Sequence, residues 1–143
     1  MTTITTPLDF KFAPSSDGSF AGLGAVFGNV DLVDDVIRPG AFKKSLALHK
    51  LNGTWPLILI NHAGIPFKTT TANYLIPIGV WDSIEEDSRG LSVKWPLIGL
   101  DSDRGKMTKA ALDACILNVL SICYRATKII RGTKASDPNR TIV

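Results

Sequence analysis

Ser121 and His62 are the two residues whose types and settings could support nucleophilic chemistry. Ser121 is a hydroxyl inside an apolar run, Leu120-Ser121-Ile122-Cys123-Tyr124. A serine so placed must find a hydrogen-bond partner, and bonding to nearby backbone would satisfy it without any special role. His62 follows a second apolar run, Leu57-Ile58-Leu59-Ile60, at the edge of a loop. An imidazole titrates near pH ~6.5 and suits general-base work, although a histidine held structurally by its neighbours is the commoner occupant of such a place. Serine alone is a weak nucleophile and needs an adjacent base, itself oriented by a third group. Spacing along the chain does not by itself join His62 to Ser121. The other histidine, His49, lies beside Lys50 and reads as a solvated helix residue.

Other constellations carry less. Asp31, Asp34, Asp35, Glu85, Glu86 and Asp87 lack the spacing of a calcium loop and read as solvated acidic turns. Gly22 to Gly28 has neither the GxGxxG spacing nor a P-loop Lys-Ser/Thr, so it does not predict a phosphate cradle. No GxSxG elbow surrounds Ser121, which disfavours an α/β-hydrolase. Cys115 and Cys123 form no CxxC and have no His/Cys cluster beside them, so they are expected as buried free thiols in a reducing compartment. Nothing in these patterns calls for a metal or a cofactor.

The elements that must position these residues are legible in part. Residues 1–8 are Thr-rich and expected to fray. Asp9 to Phe12 alternate and suggest a first strand. Ser19 to Phe27, with glycines at 22, 24 and 28 in and beside it, predicts a bent or bulged strand. Asn29 to Asp35 reads as an acidic loop. Phe42 and Leu46 predict a short amphipathic helix over 41–49, stopped by Asn52-Gly53 in a left-handed turn. Pro56 to Ile60 predicts a strand buried on both faces, and Ala63 to Ile76 a loop. Ile78, Val80 and Ile84, then Leu91, Val93, Trp95 and Leu97, alternate on either side of a polar turn at 85–90 and predict a β-hairpin. Asp101, Ser102 and Asp103 offer caps to a helix over about 103–116, with Met107, Ala110, Ala111, Ala114 and Cys115 as its apolar stripe. Val119 to Ala126 predicts another strand. Thr127 to Val143 is polar, with a turn near Asp137-Pro138-Asn139 and a strand starting at Thr141.

Composition bounds the class. The chain has 143 residues, 45% hydrophobic and 20% charged, which suits one globular domain. Sixteen Lys plus Arg against 13 Asp plus Glu give +3. The basic residues are scattered except in a tail from Arg125 to Arg140, which reads as solvated rather than as a nucleic-acid patch. The first residues carry no signal-peptide pattern, and no apolar run approaches a membrane span.

Several segments together resemble the prohead maturation proteases of tailed bacteriophages. They are Phe20-Ala21-Gly22 through Asp31, Asp35-Val36-Ile37-Arg38-Pro39-Gly40-Ala41-Phe42, Leu57 to His62, Pro77-Ile78-Gly79-Val80-Trp81, Arg89-Gly90-Leu91-Ser92-Val93, and Leu120-Ser121-Ile122-Cys123-Tyr124. They span roughly residues 9–128 in the family's order. The resemblance implies a mainly β fold with flanking helices, an antiparallel β-barrel similar to herpesvirus assemblin, in one protease domain over 1–143. It implies a serine endopeptidase with Ser121 as nucleophile and His62 as base. The implied substrates are scaffold segments, the N-terminal part of the major capsid protein and the protease itself, inside the assembling procapsid in the host cytoplasm. Self-association is compatible with it, while a membrane or a nucleic acid is not expected. Cys123 stands where the family usually has Gly. The loop from Ala63 to Ile76 is longer than the family's. The family also continues beyond the point matching Val143 with a strand carrying an acidic residue, so that strand and tail are expected to be missing here. Asp137 and His49 are poor in-chain substitutes for such a third member. These departures keep an alternative open: a catalytically inactive capsid-assembly or scaffold module with the same fold.

Overall fold

The structure, a computed structural model, describes residues 2–7, 18–31, 34–60, 76–117 and 119–143. In chain order these form β1 (Thr2–Pro7), β2 (Ser19–Val26), β3 (Asp35–Ile37), α1 (Lys43–Asn52), β4 (Ser83–Glu86), β5 (Gly90–Pro96), α2 (Asp103–Asp113), β6 (Val119–Tyr124), β7 (Ile129–Arg131) and β8 (Arg140–Ile142). The expected strand over 9–12 and most of the loop from Ala63 onward lie outside the described residues.

The alternating segment makes a hairpin with a shorter first arm and a tighter turn than its pattern suggests. β4 and β5 pair antiparallel from Ser83↔Lys94 to Glu86↔Leu91. Asp87 closes the turn: its Oδ1 accepts from the N–H of Arg89 at 2.7 Å and of Gly90 at 3.0 Å. The Arg89 N–H is the main reason that the Asp87 carboxyl is held below the usual carboxylate range. β5 is the middle strand of the sheet β2-β5-β4. Its inward residues Leu91, Val93 and Trp95 are buried with Phe20, Ala25 and Leu97. Each large side chain among them contributes on the order of 1.5–3 kcal/mol of hydrophobic stabilisation.

β2 bends where its glycines indicated. Its register on β5 shifts between Leu23 and Ala25, and Gly24 sits at the irregularity. Gly90 enables the closest approach of the two strands. A Cβ there would fall 1.9 Å from the Ala25 carbonyl oxygen. Gly90→Ala is therefore expected to force the backbones apart and lower unfolding stability by about 3 kcal/mol. A urea titration of the two proteins checks this, and an unchanged midpoint would contradict the packing described.

Two further sheets involve residues distant in sequence. β1 pairs antiparallel with β6, from Thr2↔Tyr124 to Pro7↔Val119, so residues 2–7 form a strand rather than a frayed end. The Thr-rich stretch has no apolar alternation, and it is ordered by a ladder to the far end of the chain. In the third sheet β8 lies between β3, to which it is parallel, and β7, to which it is antiparallel. Asp35, expected in a solvated loop, begins β3 and is 1% exposed. Arg140, expected in a solvated tail, grips it with a two-pronged ion pair: Nε donates to Oδ1 at 2.9 Å and Nη2 to Oδ2. Asp31 Oδ1 accepts from the Asp35 N–H at 2.9 Å. Among the described residues the bridge Phe27↔Ile37 links the end of β2 to β3 in the third sheet, and the three sheets do not close into a barrel. The parallel β3–β8 pair also departs from an all-antiparallel wall.

α1 ends as expected, with Gly53 left-handed at φ 63°. Its N-terminus is capped from outside. The Glu86 carboxylate accepts from the Gly40 N–H at 2.9 Å and the Phe42 N–H at 2.6 Å, which fastens α1 to the hairpin. α2 starts at Ser102, whose Oγ accepts from the Gly105 N–H at 3.0 Å. Its buried face is Gly105, Thr108 and Leu112, not the expected stripe; Met107 is 72% exposed, and Cys115 just past the helix is exposed too. A Cβ on Gly105 would fall 2.0 Å from the Gly99 carbonyl oxygen, so backbone contact selects this face. Pro56 to Ile60 is not a doubly buried strand. Ile58 is buried and bridges Gly79, while Leu57 is 63% exposed. Both cysteines are exposed, against the expectation of buried thiols.

Candidate active site

β6 carries Ser121 and sorts its side chains by alternation. Leu120, Ile122 and Tyr124 pack against the core. A Cβ built on Gly24 would lie 3.2 Å from Ile122 Cγ2 and 3.7 Å from Leu120 Cδ2, so both side chains point at the bulge in β2. Alternation then turns Ser121 and Cys123 to the opposite face. Ser121 is half-buried and Cys123 is exposed. The serine is therefore not sunk in an apolar interior, as its neighbours in sequence suggest. It stands, half-buried, on the side of the strand opposite the one anchored in the core. Cys123 lies two residues along on that same side, so its side chain is accommodated outside the packed interior.

His62 lies outside the described residues. His49 is at the last turn of α1, where its Nδ1 is 3.1 Å from Thr54 Oγ1 and its ring stacks on Trp55 at 6.0 Å. These contacts give it a local structural role. Asp137 is likewise committed locally. Its Oδ2 accepts from the N–H groups of Thr133 and Lys134, both at 2.9 Å, and from Thr133 Oγ1 at 3.1 Å. The Thr133 N–H leads the causes that hold its carboxyl below the usual range. It closes the turn between β7 and β8.

One charged group next to this strand escaped sequence reasoning. Arg140 interacts electrostatically with Tyr124, three residues beyond Ser121, and with Asp31, besides its grip on Asp35. The Asp35 hydrogen bond leads the causes that raise the guanidinium's proton affinity. No motif marks this group, because Asp35 and Arg140 stand at opposite ends of the sequence. A cavity of about 160 Å³ lies elsewhere, between the end of β5 and α2, lined by residues including Ile78, Leu97, Arg104 and Thr108. It contains no residue of β6, and Arg104 there donates to the Ile76 carbonyl at 2.6 Å.

A mainly β domain with two helices and a serine on the face of an anchored strand turned away from the core gives a frame on which hydrolytic chemistry can be built. The sequence profile described as Caudovirus prohead serine protease matches residues 7–143, and the chain belongs to that family. The prohead protease of Enterobacteria phage HK97 is 35% identical over 122 residues, which are 84% of this chain and 48% of that protein. The chain thus spans about half the length of this curated relative. The fold is similar to that of the bacteriophage T4 capsid assembly protease gp21, with a TM-score of 0.62 over 99% of this chain and 88% of that one, at 10% identity.

Proposed function

We propose that this chain is a serine endopeptidase of phage capsid maturation, with Ser121 as nucleophile and His62 as its general base. The observation that carries the reading is the presentation of Ser121 on the face of β6 turned away from the core in a chain of the prohead serine protease family. In this mechanism the His62 imidazole takes the Oγ proton as Ser121 attacks the scissile carbonyl. It then returns the proton to the leaving amine. An acyl-serine forms, and water hydrolyses it by the same route. Preorganised N–H donors hold the tetrahedral oxyanion.

The proposed substrates are scaffold segments, the N-terminal part of the major capsid protein and the protease itself, within the assembling procapsid in the host cytoplasm. No described helix is long and apolar enough to cross a membrane. The competing reading, an inactive assembly module, is separated by a phosphonate ester that reacts only with activated serines. Covalent labelling mapped to Ser121 by peptide mass spectrometry is the expected outcome. A full-length protein that stays unlabelled while a reference serine protease reacts would favour the inactive module.

A further inference from the structure

The surface of α1 has features that neither the hairpin nor Ser121 explains. This ten-residue helix has no buried residue. Leu48 is 56% exposed and Leu51 81% exposed, and their three-residue spacing places them side by side on the helix. Lys44 lies one turn before Leu48 on that side, and Lys43 and Lys50 lie two turns apart along one edge of it. The helix contains no acidic residue, and among the described residues none of its three lysines is in an ion pair. On α2, by contrast, Lys109 is paired with Asp113. Exposed leucines in line with one unpaired lysine and edged by two more are a surface lacking its complement.

We infer that the Lys44–Leu48–Leu51 face of α1 docks an acidic amphipathic segment of a partner protein. Leucines or similar side chains of that segment would cover Leu48 and Leu51, and its carboxylates would meet Lys44 and Lys50. The charges decide between occupants. A second copy seated symmetrically on the same face would set lysines against their own counterparts. A phosphate backbone would gain nothing from the two leucines at the centre of the patch. A lipid surface calls for a longer apolar face than two turns provide. The inference does not depend on the chemistry assigned to Ser121.

The test uses the full chain and a fluorescein-labelled peptide of about 18 residues, long enough to form a helix, with Leu at three- and four-residue spacing and Glu elsewhere. Anisotropy is expected to show saturable binding. Leu51→Glu, and separately Lys44→Glu with Lys50→Glu, should weaken it at least about tenfold, as should replacing the peptide's Glu by Lys. Circular dichroism and phosphonate labelling of both variants should match the parent, because these side chains are exposed. The inference is overturned by absence of saturation at about 100 μM protein, by equal affinity for the Lys peptide, or by variants that bind like the parent. It is also overturned if sedimentation shows a dimer that either variant disrupts, or if vesicles containing phosphatidylserine bind the chain and displace the peptide.

Discussion

Replacing Ser121 by Ala is expected to lower peptide cleavage by about 10⁴-fold or more, and His62→Ala to do nearly as much. The combined variant should be little worse than either single one, because a nucleophile without its base and a base without its nucleophile are both idle. This non-additivity separates a working pair from two residues that merely support the fold. The substitutions are testable without unfolding the protein. Ser121 is half-buried on the face of β6 turned away from the core, so removing one hydroxyl leaves the Leu120 and Ile122 anchors in place. Cleavage is read with a fluorogenic peptide copied from a processed capsid-protein junction, using a full-length chain. A Ser121→Ala protein that cleaves at the parental rate would remove Ser121 from the mechanism. An active His62→Ala protein would reassign only the base.

The second large effect concerns stability. Asp35 is 1% exposed, and its carboxylate is held by the Arg140 guanidinium. Arg140→Ala would leave a buried carboxylate without its cation, which costs about 3–5 kcal/mol. The pair itself need not be strongly stabilising, because much of its Coulomb energy offsets the loss of hydration. Asp35→Val combined with Arg140→Met should therefore recover most of what Arg140→Ala loses. Chemical denaturation of the three proteins checks the order: parent and double variant close together, Arg140→Ala well below. If Arg140→Ala unfolds at the parental midpoint, the ion pair does not hold β8 to β3 as described.

What was legible in the sequence follows the range of the forces involved. The hairpin of β4 and β5 and the bulge at Gly24 are written in nearest-neighbour alternation and in glycine placement, so both could be read locally. The Gly53 stop and the Ser102 cap are equally local. β1 could not be read, because Thr2–Pro7 has no apolar face and takes its order from β6. The buried face of α2 was misread for a related reason. Apolar character favoured Met107 and the alanines, but the contact with Gly99 demands the smallest residue, Gly105. Asp35 looked like one more solvated acid until Arg140 supplied a partner from the other end of the chain. In the candidate site, Ser121 and His62 were singled out by type and setting, and the family motifs gave them roles. The orientation of Ser121 away from the core depends on which side of β6 meets Gly24, a tertiary fact with no local signature.

The pairing of β1 with β6 also bears on when the strand of the proposed nucleophile is completed. Thr2 lies opposite Tyr124, and Pro7 opposite Val119. The β1 segment finds its place only once β6, distant in sequence, has been made. Closing so long a loop carries an entropic cost before any contact offsets it, and such pairings form late and slowly. The serine's strand cannot be completed before both segments have been made. Connectivity alone thus makes the strand of the proposed nucleophile depend on the meeting of two distant segments, a built-in lag for a protein whose proposed substrates include its own kind.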